Sequence, residues 1–145
     1  MTRLLAALAA AATLAFTAVP ASAADRTVKL TLDGRPVDRA GGVAVLHNGV
    51  VYANVVPLVK SFDGLLTFQG TAVVVTINGV TGRFTEGSRT ALINDGAVTM
   101  PGQTFKRDGD LYVPLATFVT QIAKAKLRTN PARTQADIFV NAPAS

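Results

Sequence analysis

Paired turn residues recur along this chain and constrain its fold more than any other feature. An Asn-Gly or Asp-Gly pair separates short apolar or alternating segments at Asp33-Gly34, Asn48-Gly49, Asn78-Gly79, Asp95-Gly96 and Asp108-Gly109. Such pairs accept the positive φ angles of two-residue hairpin turns, so each predicts a turn between antiparallel strands. The chain is therefore expected to consist mainly of β-hairpins.

The segments around these turns have the patterns of strands. Residues 27–32 alternate apolar and polar side chains, as expected of a strand buried on one face. The other predicted strands cover residues 43–47, 50–55, 65–69, 71–77, 80–85, 91–94, 97–100, 104–107, 111–113, 126–129 and 134–140, and 35–37 are predicted to return from the first turn.

A short helix is predicted where Pro57 follows the second hairpin, because the fixed φ of proline suits the first helical position. Leu58, Phe62 and Leu65 are predicted to share its apolar face. Gly64 is predicted to end the helix in a left-handed conformation.

A second helix is predicted after Pro114, directly behind the apolar strand 111–113. Its apolar positions follow the helical period, which predicts one buried and one polar face. The buried face comprises Leu115, Phe118, Val119, Ile122 and Ala123, and the polar face comprises Thr117, Thr120, Gln121 and Lys124.

The order of these segments repeats once. The matching segments are 30–34 with 92–96, 56–58 with 113–115, and 75–78 with 138–141, at offsets of 62, 57 and 63 residues. Each copy is too small to cover its own apolar face, so the two are predicted to pack together. The predicted fold is α+β, mainly an antiparallel sheet with two short helices, built from two similar halves; chance similarity of short motifs is the alternative.

The first 23 residues have the pattern of a secretory signal peptide. Arg3 precedes the apolar run 4–19, and the small residues Ala21-Ser22-Ala23 follow. The run is shorter than the roughly 20 residues that span a bilayer. We expect cleavage after Ala23, an exported domain over residues 24–145 with no transmembrane segment, and a periplasmic, cell-surface or extracellular location, with an uncleaved anchor as the alternative.

Composition excludes several kinds of site. The chain has no cysteine and a single histidine, His47, so it cannot form a disulfide framework or a zinc or copper site of Cys or His type. His47 is predicted to be an exposed residue beside a turn. No Gly-x-Ser-x-Gly motif is present, and the acids next to glycines are explained by turn geometry. We therefore expect no catalytic residue, no metal and no cofactor, and with only two tyrosines to stack on bases, no nucleic-acid partner.

Four cations near the end of the chain are the candidate binding residues. Lys124, Lys126, Arg128 and Arg133 follow one another with no acid between Asp110 and Asp137. Alternation places Lys126 and Arg128 on one side of a strand, where they could bind a phosphate-bearing or uronate polymer. The alternative is a solvated strand edge whose charges discourage aggregation.

The order of these motifs resembles that of the copper amine oxidase N-terminal-like domain, also called the stalk domain, over residues 28–141. The resemblance is carried by two Val-Pro-Leu segments, 56–58 and 113–115, and by the segment 87–96 between them. Val59 and Ala116 stand where that family usually has arginine, and the chain has no tryptophan. The resemblance implies an antiparallel sheet curled around helices and an accessory role, and it does not imply copper.

These observations favour a non-catalytic exported module that binds an envelope or extracellular polymer. A protein-interaction module, such as a self-assembling protein or an inhibitor of a secreted enzyme, is the alternative, because the sheet edges are expected to be exposed. An enzyme is the third hypothesis. The oligomeric state is left open.

Overall fold

The computed structural model describes residues 25–37 and 43–140, so the predicted signal peptide and the last residues, 141–145, lie outside the described part. The strands are β1 (Arg26–Leu32), β2 (Arg35–Pro36), β3 (Ala44–His47), β4 (Val50–Asn54), β5 (Leu65–Gln69), β6 (Ala72–Ile77), β7 (Val80–Thr85), β8 (Thr90–Ile93), β9 (Gly96–Thr99), β10 (Phe105–Arg107), β11 (Asp110–Pro114), β12 (Lys126–Thr129) and β13 (Gln135–Phe139). The helical segments are α1 (Val55–Ser61), α2 (Leu115–Thr117) and π1 (Phe118–Ile122), the last a π-helix. Within the described ranges, none of these helices has both the length and the apolar character needed to cross a membrane.

The strands form two open sheets. The larger has the order β10-β11-β4-β3-β1-β13-β12, with β2 also paired to β1, and the smaller has the order β5-β6-β7-β8-β9. All paired strands are antiparallel except β1 and β13, which are parallel. Because α2 runs directly into π1, the described residues form two helical regions, and the prediction of mainly antiparallel strands with two short helices is confirmed. The strands form two sheets rather than one.

The main core lies around the helical segments. α1 contacts β11 of the larger sheet and β5 of the smaller, while π1 contacts β12 and β7. The predicted apolar face after Pro114 is buried, from Leu115 at 0% exposure to Ala123 at 8%. Thr117, predicted to be polar and outward, is also buried, because a helical segment between two sheets has little free surface.

The two prolines do not occupy the first helical position that the sequence suggests. Pro57 is the third residue of α1, whose N-cap is Asn54; the Asn54 side chain accepts a hydrogen bond from the Val56 amide at 3.2 Å. Pro114 is the last residue of β11, opposite Tyr52. Both positions tolerate proline because the first four amides of a helix lack intrahelical acceptors.

The end of α1 also differs from the prediction. Asp63, and not Gly64, has the left-handed conformation, with φ at 55°. Gly64 is needed for space, since a Cβ there would lie 2.7 Å from Cγ1 of Ile77 and 2.9 Å from the carbonyl oxygen of Thr76. Leu65, predicted to be buried with α1, is 72% exposed because it begins the edge strand β5.

The strands that precede the two helical segments are direct neighbours. β4 and β11 pair antiparallel, with Tyr112 opposite Asn54 and Val113 opposite Ala53. α1, which follows β4, contacts β11, and α2, which follows β11, contacts β4. The two proline-led segments therefore lie close together, next to the paired strands β4 and β11 near the β10 edge of the larger sheet.

Candidate binding surface

The larger sheet has an outer face turned away from the core. On β1, Val28 and Leu30 are buried in the core at 2% exposure, so the alternate residues Lys29 and Thr31 lie on the outer face. The strand pairing extends this face across β13 and β12, because Thr31 lies opposite Asp137, which lies opposite Arg128. The outer-face residues of β13 and β12 are Gln135, Asp137, Phe139, Lys126 and Arg128.

Lys29, Lys126 and Arg128 together form what we call the cationic face. All three are exposed, and the two on β12 point to one side as the sequence predicts. The Arg128 guanidinium carbon lies 5.6 Å from the centre of the Phe139 ring, which orients that side chain over the sheet. Sequence reasoning missed Lys29, because its neighbourhood depends on the pairing of β1 with β13 at the other end of the chain.

Asp137 lies within the cationic face and lowers its net charge. Its Oδ1 accepts hydrogen bonds from Oγ1 of Thr31 at 2.6 Å and from Nε2 of Gln135 at 3.0 Å. These bonds, with the charges of Arg128 and Lys29, hold the pKa of the carboxyl below its usual value, so it is ionised at neutral pH. Two net positive charges remain on the face.

The other two predicted cations have different surroundings. Arg133, with φ at 56°, lies between β12 and β13 and donates through Nη1 to the carbonyl oxygen of Gly49 in the β3–β4 turn. Lys124 is exposed ahead of β12, with φ at 54°. Of the four cations predicted to bind a polymer, the structure therefore places only Lys126 and Arg128 on the same face of one strand.

Four rings form what we call the aromatic cluster on the outer face of β3, β4, β10 and β11. They are His47, Tyr52, Phe105 and Tyr112. The rings of Phe105 and Tyr112 are stacked with their centres 5.2 Å apart, and the centres of His47 and Phe105 are 4.4 Å apart. Tyr52 and Tyr112 are almost fully covered, and this burial raises the pKa of both phenols. The cluster is a second, smaller apolar core.

The loop after β9 closes the cluster at Tyr52. The Tyr52 hydroxyl donates a hydrogen bond to the carbonyl oxygen of Gln103 at 2.8 Å. Gly102 leaves the space for this contact, since a Cβ there would lie 2.2 Å from the hydroxyl oxygen. A cavity of about 280 Å³ lies beside this contact, and its lining includes His47, Phe105 and Arg89.

Asp25 connects the beginning of β1 to this cluster. Nδ1 of His47 lies 2.8 Å and 2.9 Å from the two carboxylate oxygens, and Arg107 also donates to the carboxylate. The hydrogen bond from Arg107, followed by that from His47 and both charges, lowers the pKa of Asp25. The prediction of an exposed His47 is wrong, because the carboxylate and the Phe105 ring leave its side chain 27% exposed.

The Arg107 guanidinium also covers the aromatic cluster. Its central carbon lies 5.2 Å from the centre of the Phe105 ring and 6.0 Å from that of Tyr112. Cations at such distances over aromatic faces are attracted by the ring quadrupole. The guanidinium is therefore held between two rings and one carboxylate.

Comparison with known families agrees with this architecture. The family model of the copper amine oxidase N-terminal domain matches residues 31–138, which is most of the chain. The chain belongs to this family. The resemblance seen in the sequence is thereby confirmed. The chain matched no curated protein and no solved structure.

The copper amine oxidase N-terminal domain is a non-catalytic domain. In residues 25–37 and 43–140, no group of three or more His, Asp or Glu side chains is arranged to hold a metal ion. The range matched by the family model, residues 31–138, includes Lys126 and Arg128. Asp25 and Lys29 lie just before the first matched residue. The pairing of β1 brings these two residues to the same outer face.

Proposed function

We propose that this copper amine oxidase N-terminal domain is a non-catalytic exported module that binds an anionic polymer of the cell envelope or extracellular space. The observation that carries the proposal is the cationic face, where Lys29, Lys126 and Arg128 lie exposed on one side of the larger sheet. The family assignment supports a role without catalysis, and the leader pattern in residues 1–23 supports export.

The spacing of the cationic face suits a polymer with repeated negative charges. Lys126 and Arg128 are two residues apart on a strand, or about 7 Å, and Lys29 lies two strands away and two residues out of line with Arg128, or about 12 Å from it. Each exposed contact contributes only about 0.5 kcal/mol. Useful affinity therefore requires several charges on one ligand and falls as salt screens them.

Lys29 distinguishes this proposal from simple protection of a sheet edge. β12 is an edge strand, so Lys126 and Arg128 would also discourage strand pairing between molecules. β1 lies inside the sheet, between β3 and β13. Edge protection does not explain an exposed lysine there, whereas a ligand lying across three strands does.

Retention on immobilised polygalacturonate tests the proposal. Replacing Lys29, Lys126 and Arg128 together by alanine is expected to weaken retention about tenfold at low salt, since three exposed contacts amount to roughly 1.5 kcal/mol. The control replaces Arg35, Lys60 and Lys106, which are exposed cations elsewhere, and removes the same charge. Equal retention of wild type and the first variant, or equal loss in both variants, would contradict the proposal.

We also infer that the domain consists of two related halves, with the larger sheet curled around the helical segments. The order hairpin, hairpin, helix, hairpin occurs from β1 to β6 and again from β8 to β13. The pairing of β4 with β11 supports this view. Residues 25–88 expressed alone should be unfolded, because their apolar face lacks its partner; a folded monomer by circular dichroism and sedimentation would argue against interdependent halves.

A second candidate function is self-assembly through the edge strand β5. Leu65 and Phe68 of this strand are 72% and 55% exposed, and β5 ends the smaller sheet. A second copy of β5 could pair there. Light scattering should then show a dimer that Leu65→Lys dissociates, whereas a monomer at all concentrations removes this candidate.

A further inference from the structure

We propose that His47 and Arg107 form a carboxylate-binding site that takes a uronate unit of the polymer, and that Asp25 occupies this site in the free protein. The inference rests on the proposed function and deepens it, since it specifies carboxylate rather than phosphate or sulfate as the anion. It concerns the outer face at the aromatic cluster, separate from the cationic face.

The site has the chemistry that carboxylates require. The carboxylate of Asp25 receives Arg107 on one oxygen, and both oxygens lie within 3 Å of Nδ1 of His47. Arg107 is supported by the rings of Phe105 and Tyr112, so its direction is set by packing and not by Asp25 alone. Such charge-assisted contacts are strong when the donors are preorganised.

Space for the remainder of a sugar ring lies beside one of these donors, His47, whereas Arg107 is not among the residues that line it. The cavity of about 280 Å³ is lined by His47, Phe105, Asn48 and Arg89, among others. Its volume is close to the lower limit of ordinary small-molecule sites, which suits a single carboxylated ring. The Phe105 ring can contact the apolar side of that ring, while Asn48 and Arg89 offer polar groups.

Asp25 can leave the site without breaking a strand pair. β1 begins at Arg26, whose partner is Leu46, so Asp25 precedes the ladder. Release of this one side chain would expose His47 and Arg107 together. The exchange of one carboxylate for another leaves the charge balance of the site unchanged.

The outer-face residues of β1 connect this site to the cationic face. Thr27 and Lys29 flank the core residue Val28, so both lie on the outer side of β1, and Asp25, just before the strand, contacts His47 on that side. Lys29 is four positions after Asp25, or about 13 Å along a strand. A polymer held at Lys29 would therefore present a neighbouring unit near His47.

The single histidine of the chain provides an unambiguous probe. Imidazole resonances of the mature protein are followed during titration with glucuronate, methyl glucoside or inorganic phosphate. Glucuronate is expected to shift the His47 signals in Asp25→Ala at concentrations at least about tenfold lower than in wild type, because Asp25 no longer competes. Methyl glucoside and phosphate should produce no comparable shift, and Asp63→Asn, which removes a remote exposed carboxylate, should behave as wild type.

Adding Arg107→Gln to Asp25→Ala is expected to abolish the shift. Absence of a shift in Asp25→Ala, an equal shift after Arg107→Gln, or an equal response to phosphate would each overturn the inference. If Asp25→Ala does not fold, the wild-type titration decides: no shift at saturating glucuronate means that Asp25 is a permanent structural partner. This readout is independent of polymer retention by the cationic face, so the two proposals fail separately.

Discussion

At the scale of single residues, close contacts decide several positions that the sequence pattern leaves open. Gly82 on β7 faces π1, and a Cβ there would lie 2.2 Å from Cδ1 of Ile122. Gly102 makes the same kind of space for the Tyr52 hydroxyl. Glycines in turns can be recognised from their sequence neighbours. The need for glycine at these two positions depends instead on side chains far away in sequence.

Replacing Gly82 by alanine is expected to destabilise the fold by about 1–3 kcal/mol, because the buried Ile122 side chain would have to shift within the core. Urea unfolding followed by circular dichroism measures the change. Gly96→Ala is the matched control, since its new Cβ would meet only the carbonyl oxygen of Ile93 at 3.4 Å. Equal stability of the two variants would mean that π1 does not pack on β7 as described.

Asp25 makes the stability of the fold depend on pH, and the direction of its pKa shift sets the sign. Its pKa is lowered in the folded state by Arg107 and His47, so its stabilising effect is full above the unfolded pKa and is lost as pH falls through the folded value. Asp25→Asn should cost about 1 kcal/mol at pH 7, a modest value because the side chain is partly exposed, and less near pH 2. A loss of stability that is the same at both pH values would exclude a charge effect.

At the scale of elements, local patterns identify most strands and the buried helical face. The hairpins at Asn48-Gly49 and Asn78-Gly79 appear where predicted because a two-residue turn fixes its own strand pairing. The π-helix could not be predicted, since the spacing of apolar residues is nearly the same in an α-helix. It is recognised by the bond from the Ala123 amide to the Phe118 carbonyl oxygen, at 3.0 Å.

The exit from π1 requires a left-handed residue at Lys124, with φ at 54°. Lys124→Gly is expected to raise stability by up to about 1 kcal/mol, because glycine adopts this conformation without steric cost. Thermal unfolding measures the effect. Lys126→Gly, in the extended strand β12, should instead lower stability, and a decrease for both would contradict the described exit.

At the scale of the whole molecule, the sequence predicts the family and the hairpins better than the binding surface. The parallel pairing of β1 with β13 joins residues about a hundred positions apart, and no local pattern encodes it. This pairing adds Lys29 to Lys126 and Arg128, and it places Thr31 opposite Asp137. It also explains why Arg133, close to Arg128 in sequence, contacts Gly49 instead.

Export is a property of the complete chain. Expression of the complete chain in a secreting host should release a product that begins at Ala24, because small residues precede the expected cleavage position. Mass spectrometry of the exported protein identifies its first residue. Retention of the full-length chain in the cytoplasm would contradict the proposed location.

Chemical-shift mapping with polygalacturonate tests the central claim most directly. Amide resonances of the labelled mature protein are recorded as the polymer is added at low salt and again at high salt. We expect changes on β1, β12 and β13, close to Lys29, Lys126 and Arg128, that disappear at high salt, with β5 to β9 unaffected. Changes centred on the smaller sheet, or no change at all, would contradict binding at the cationic face.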